Sequence, residues 1–173
     1  IAGKRLKKLL PLSLLKTGLP ELPYAATKEV VLPFLKFPGT DPMLGPEMKS
    51  TGEVMGIDLD FPRSFAKAQS ASGQPLPTSG QVFISVRDED KPHLLAVAGQ
   101  LKQLGFELGA TRSTHAFLTR HGIPAKTVAK LGEGKPDVMD LIKQRNLALV
   151  INTPSGKRAR NDGFYIRRTS LDF

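Results

Sequence analysis

A chain of 173 residues with 40% hydrophobic residues is long enough for one domain, or for one domain and part of another, around an aliphatic core. The absence of cysteine excludes a disulfide framework, thiolate metal ligation and a cysteine nucleophile, and points to a reducing, cytoplasmic compartment. The 25 Lys and Arg against 16 Asp and Glu favour phosphate-bearing partners over cationic ones, and no uncharged apolar run approaches the roughly 20 residues of a membrane span.

Residues 1–15 place basic residues before leucines as a signal peptide would, but Pro11 interrupts the run, no small-residue cleavage site follows, and the chain does not begin with Met. It reads as a piece of a longer polypeptide. Through residues 1–60, Pro33, Pro38, Gly39, Pro42, Gly45 and Pro46 forbid long helices and predict short strands joined by turns, an irregular α+β segment. A short amphipathic helix is predicted over residues 62–70 with Phe65 and Ala68 inward, followed by a linker rich in Ser, Gly and Pro that ends at Gly80.

Beyond the linker the pattern is regular. A β-branched apolar run at residues 81–86 predicts a strand, and Leu94, Leu95, Val97, Ala98, Leu101 and Leu104 follow at helical spacing until Gly105. A second strand is predicted at residues 106–111, and Ser113 can cap a helix through Leu118 that stops at Gly122. A third strand is predicted at residues 125–130, a third helix at 137–145 with Val138, Leu141 and Ile142 inward, and a fourth strand at 147–153. Four strands alternating with three helices predict an α/β fold, a parallel sheet with helices on both faces.

In such sheets ligands bind beyond the carboxyl ends of the strands. There the sequence puts Ser85, Arg87 and Lys91 after the first strand and Thr111, Ser113 and Thr114 after the second. Lys130 follows the third, and Asn152, Thr153 and Ser155 follow the fourth. Hydroxyls and amides donate to phosphate oxygens and lysines supply charge, so the set suits a phosphate monoester, and it contains no nucleophile with its base. Each residue has a plainer use: Thr111 and Thr114 as helix caps, the lysines as surface residues, Asn152 in a turn. His93, His115 and His121 have no metal-site spacing, and the loop from Gly132 to Pro136 lacks the Walker ending. The basic cluster Lys157, Arg158, Arg160, Arg167 and Arg168 reads as a solvated face, and a nucleic-acid partner, which would rest on net charge alone, is not expected.

Ten short stretches carry a resemblance. Lys28-Glu29-Val30-Val31-Leu32-Pro33-Phe34, Lys36-Phe37-Pro38-Gly39, Leu44-Gly45-Pro46-Glu47-Met48 and Ser50-Thr51-Gly52-Glu53-Val54-Met55-Gly56 resemble the end of the second ATP-grasp half of the carbamoyl-phosphate synthetase large subunit. Ser85-Val86-Arg87, Gly105-Phe106-Glu107-Leu108, Ala110-Thr111, Ile151-Asn152-Thr153, Ser155-Gly156 and Ile166-Arg167-Arg168 resemble its methylglyoxal-synthase-like allosteric domain. The resemblance implies that residues 1–72 are the tail of the synthetic domain, 73–80 a linker and 81–173 the allosteric domain. On that pattern the domain lacks its last strand and helix, the chain being truncated or disordered after Phe173.

It further implies that the parent makes carbamoyl phosphate for pyrimidine and arginine synthesis. The substrates are bicarbonate, two ATP and ammonia that a glutaminase small subunit releases from glutamine, with Mg or Mn and K as cofactors. This part would carry no catalytic residue, metal or cofactor of its own. Lys91, Thr111, Thr114, Lys130 and Asn152 match the family's site for UMP or IMP, with Ser85 and Thr153 beside them, and Glu29 matches a contact to ornithine. Pro154 stands where the family has Thr, which removes a donor and favours UMP over IMP. The alternative implied by the fold is a phosphate-eliminating enzyme of the methylglyoxal-synthase type. Asp137 falls near its catalytic Asp, but the His-Asp pair expected after the first strand is missing.

Overall fold

The computed structural model describes residues 22–36, 39–43 and 52–173. Residues 1–15, the Leu44 to Met48 motif, and the pairs Phe37-Pro38 and Ser50-Thr51 lie outside the described residues. The described residues form two compact units, one from the ranges Ile1–Val30 and Glu53–Pro75 and the other from Val31–Gly52 and Leu76–Phe173.

The first unit is built on a two-stranded sheet of β1 (Ala25–Val31) and β2 (Gly52–Asp58) with helix α1 (Phe61–Ala71). Asp60 caps α1 by accepting from Arg63 N at 2.9 Å, and Pro62 in the first turn lacks only an N–H that no helix could use. The helix lies one residue longer at each end than the periodicity predicts. Ser64 and Ala68 are its buried residues, and Phe65 is only half-buried. The small residues have a purpose, because Gly56 of β2 meets the α1 backbone directly. A Cβ there would stand 2.0 Å from the Ser64 carbonyl oxygen and 2.6 Å from Ala68 N. The Thr27 and Ser64 hydroxyls, 2.7 Å apart, close the same contact with a hydrogen bond.

The second unit holds a four-stranded sheet of β3 (Gln81–Val86), β4 (Glu107–Ala110), β5 (Lys126–Thr127) and β6 (Leu147–Thr153) in the order β5-β4-β3-β6, parallel at each pairing. Helices α2 (Lys91–Gln103) and α3 (Arg112–Arg120) follow β3 and β4, α4 (Val138–Lys143) precedes β6, and α5 (Gly156–Asp172) follows it. Alternate residues of β3 point to opposite faces, so two cores form. Val82 and Ile84 pack with Leu94, Ala98, Phe106, Leu108 and Leu118, beneath α2 and α3. Phe83 packs with Val128, Val138, Ile142 and Ile166, beneath α4 and α5. The parallel sheet with helices on both faces is the fold class expected.

Three expectations need correction. The third strand is two residues long rather than six, with one further bridge between Ala129 and Asp137, because Gly132 and Gly134 turn the chain away soon after it pairs. Among the described residues of this unit there are four α-helices and not three: the sequence pattern does not show α5, whose seventeen residues carry few apolar side chains and two glycines. Val97 on α2 and Leu104 at its C-cap are exposed, since Leu94 and Ala98 already fill the face turned to the sheet. The stop at Gly105 holds, with φ at 88° and Phe106 N donating to the Leu101 carbonyl at 3.0 Å.

Candidate functional site

The sheet order places β3 between β4, reached by α2 on one face, and β6, reached by α4 on the other. The chain therefore leaves neighbouring strands in opposite directions, and a crevice opens beyond their carboxyl ends. Register makes it specific: Ser85 pairs with Asn152 and Val86 with Thr153, while Ala110, opposite Ile84, delivers Thr111 to the same rim.

A cleft of about 590 Å³ occupies this position. Ser85, Thr111, Ser113, Lys130, Asn152 and Thr153 line it, so four strand ends separated by up to 68 residues in sequence meet at one place. Lys91 and Thr114 stand behind the lining. Lys91 Nζ donates to Ser113 Oγ at 3.1 Å, is 2.6 Å from Asp88 Oδ1, and lies 6.0 Å from the centroid of the Phe117 ring. Thr114 is fully buried and accepts from Val86 N at 3.4 Å and from the Thr111 hydroxyl at 3.3 Å. The threonine pair thus ties β3 to the start of α3, and neither hydroxyl makes a cap hydrogen bond within the helix.

Residues 87–91 form the lip. Arg87 N donates to Thr153 Oγ1 at 3.1 Å, joining the ends of β3 and β6, and the Arg87 guanidinium spans the Asp90 carboxylate at 2.9 and 3.2 Å. That fork, then the Thr153 hydroxyl, holds the Asp90 carboxyl below the ordinary carboxylate range, and the Lys91 ammonium does the same to Asp88. Lys130 is exposed and makes no ion pair with the described residues.

Sequence reasoning missed part of the lining. Asp88, Glu89, Glu133 and Asp162 put four carboxylates beside the two lining cations Arg87 and Lys130, so the cleft is mixed in charge and not simply basic. Ala159, Asp162 and Ile166 come from α5, on the helical spacing that would have revealed its inner face, and Pro154 lines the cleft as well.

Asp137 is accounted for differently. It is 3% exposed and caps α4, accepting from Met139 N at 2.9 Å and Asp140 N at 3.1 Å while Asp140 accepts from Asp137 N at 3.0 Å. Its carboxylate is committed to a capping box and does not line the cleft. Glu29 lies in the first unit, where Oε2 accepts from Gln69 Nε2 at 2.9 Å. Of the basic cluster, Arg167 and Arg168 turn to Asp41, Asp172 and the Phe34 carbonyl. No group of three His, Asp or Glu among the described residues could hold a metal, and none of their helices is long and apolar enough to cross a membrane.

Residues 93–173 match the MGS-like domain family. The chain is 53% identical over 148 residues, 86% of its length, to the carbamoyl phosphate synthase large chain, C-terminal section, of Aquifex aeolicus, covering 28% of that protein. It is 49% identical over 172 residues to the carbamoyl phosphate synthase large chain of Archaeoglobus fulgidus, and 48% over 173 residues to that of Methanosarcina acetivorans. These alignments take in 99% and 100% of the chain but only 16% of each relative.

Proposed function

Because the chain belongs to the carbamoyl phosphate synthase large-chain family and carries its MGS-like domain, we propose that it is the regulatory part of such a chain and binds a nucleoside monophosphate such as UMP. The observation that carries the reading is the convergence of hydroxyls, an amide and a lysine from four strand ends on one cleft. The phosphate belongs near Thr111, Ser113 and Lys130, with Lys91 behind them, where the N–H groups opening α3 add a positive field. Carboxylates suit the sugar: Glu133 and Asp162 can accept from hydroxyls but would repel a second phosphate, so a monophosphate fits better than a triphosphate. Pro154 offers no donor to the base, in keeping with UMP over IMP.

The parent protein would then make carbamoyl phosphate from bicarbonate, glutamine-derived ammonia and two ATP. The ATP, Mg or Mn, K and the glutaminase small subunit would be handled by residues outside this chain. Ornithine is proposed at Glu29, where its ammonium would compete with the Gln69 amide. The methylglyoxal-synthase alternative loses its acid-base residue, since Asp137 is enclosed as a cap.

Calorimetric titration with UMP, IMP, ornithine and dihydroxyacetone phosphate tests the reading. Binding of UMP with no phosphate released from the triose is expected. Release of phosphate, or no nucleotide binding, would overturn it.

A further inference from the structure

We propose that Asp88 is a built-in counter-ion of the cleft, an internal anion that competes with the ligand's phosphate for Lys91 and so sets affinity by ligand charge. The inference rests on the nucleotide reading above and deepens it. Lys91 has a side chain only 12% exposed, so its ammonium is largely withdrawn from water and has to be met by acceptors. Ser113 and Asp88 meet it, both on residues that line the cleft. Asp88 differs from Lys91 in that its side chain is 87% exposed, on the turn Asp88–Asp90.

That turn is fixed by other bonds, from Arg87 N to Thr153 and from the Arg87 guanidinium to Asp90. Asp88 can therefore swing away from Lys91 without unravelling the lip. A phosphate monoester dianion reaching Lys91 arrives beside the Asp88 carboxylate, where like charges repel at short range. An uncharged nucleoside in the same cleft meets no such cost. Asn at position 88 keeps the shape and an oxygen that accepts from Lys91, so it removes the competing charge while preserving the position of the ammonium.

The test is calorimetry of the full-length protein and its Asp88→Asn and Asp88→Ala variants with UMP, inorganic phosphate and uridine at low and physiological ionic strength. Both variants are expected to bind UMP and phosphate about three- to tenfold more tightly at low salt, with a smaller gain at physiological salt and no change for uridine. Unchanged or weaker UMP binding in variants that unfold like the parent would overturn the proposal, a loss in Asp88→Ala alone assigning Asp88 to positioning Lys91. Failure of the parent itself to bind UMP or phosphate would overturn the nucleotide reading, and with it this inference.

Discussion

Arg167 lays its guanidinium across the carboxylate of Asp41, with Nη2 donating to both oxygens at 3.2 and 3.0 Å and Nε donating to Oδ1 at 3.3 Å. The next residue, Arg168, donates from Nη1 to the Phe34 carbonyl at 3.2 Å and from Nη2 to Asp172 at 2.6 Å. Two adjacent arginines therefore fasten Phe34 and Asp41 to α5, the helix whose inner face lines the cleft.

The planar fork makes the Arg167–Asp41 pair geometry-dependent, and both side chains are about one-third exposed. Arg167→Lys and Asp41→Asn are each expected to lower stability by about 1 kcal/mol. Denaturant unfolding of both single variants and the double variant measures it, and the double is expected to cost less than the sum because the two share one interaction.

Lys91→Ala is expected to weaken UMP binding by roughly 1–3 kcal/mol, the range for losing a hydrogen bond to a charged group. Thr114→Val should behave differently. Its fully buried hydroxyl accepts from Val86 N in a part-buried bond, so the variant leaves that N–H without its partner and costs about 1 kcal/mol of stability besides weakening the ligand. Thermal unfolding beside calorimetry separates the two effects.

On the proposed reading, and if the full-length protein responds to ornithine, Glu29→Ala is expected to reduce that activation while UMP still binds. Effectors at two sites can alter catalysis only by favouring different states of the enzyme. Steady-state kinetics across ornithine and UMP concentrations is the measurement, and undiminished ornithine activation would remove Glu29 from the site.

Gly56→Ala is expected to destabilise the first unit by roughly 1–3 kcal/mol, because the new methyl meets α1 backbone that cannot give way like a flexible side chain. Asp137→Ala should cost about 1–2 kcal/mol in the second unit through loss of the α4 cap. Hydrogen exchange by unit distinguishes them.

The Lys135 ammonium, 2.7 Å from both Asp140 oxygens, holds that carboxyl below its ordinary value of 3.8, and Asp140 in turn raises Lys135 above its ordinary 10.5. A carboxyl depressed in the folded state contributes stability fully above its unfolded value and loses it as pH falls through the folded one. A raised lysine contributes fully below its unfolded value and loses it as pH rises through the folded one. Melting temperature should fall on both sides, below about pH 4 and above about pH 10.5, and Asp140→Asn should flatten both limbs relative to the parent.

Periodicity alone determined the strands at 81–86 and 147–153, the helix near 91–103 and hence the parallel α/β class, because alternation and helical spacing are local consequences of which face is buried. The rim was legible too, since residues that follow parallel strands must emerge on one edge. Tertiary structure decided the rest. Lys91 and Thr114 stand behind the lining because the first turns of α2 and α3 tuck against the sheet, which no spacing reveals. Residues 156–172 carry too few apolar side chains to read as a helix, and their fold rests on Ile166 and Gly163 finding a surface made by distant strands. The four carboxylates share a cleft with Lys130 only because the sheet order gathers four loops, so the charge of the site depends on topology rather than on composition.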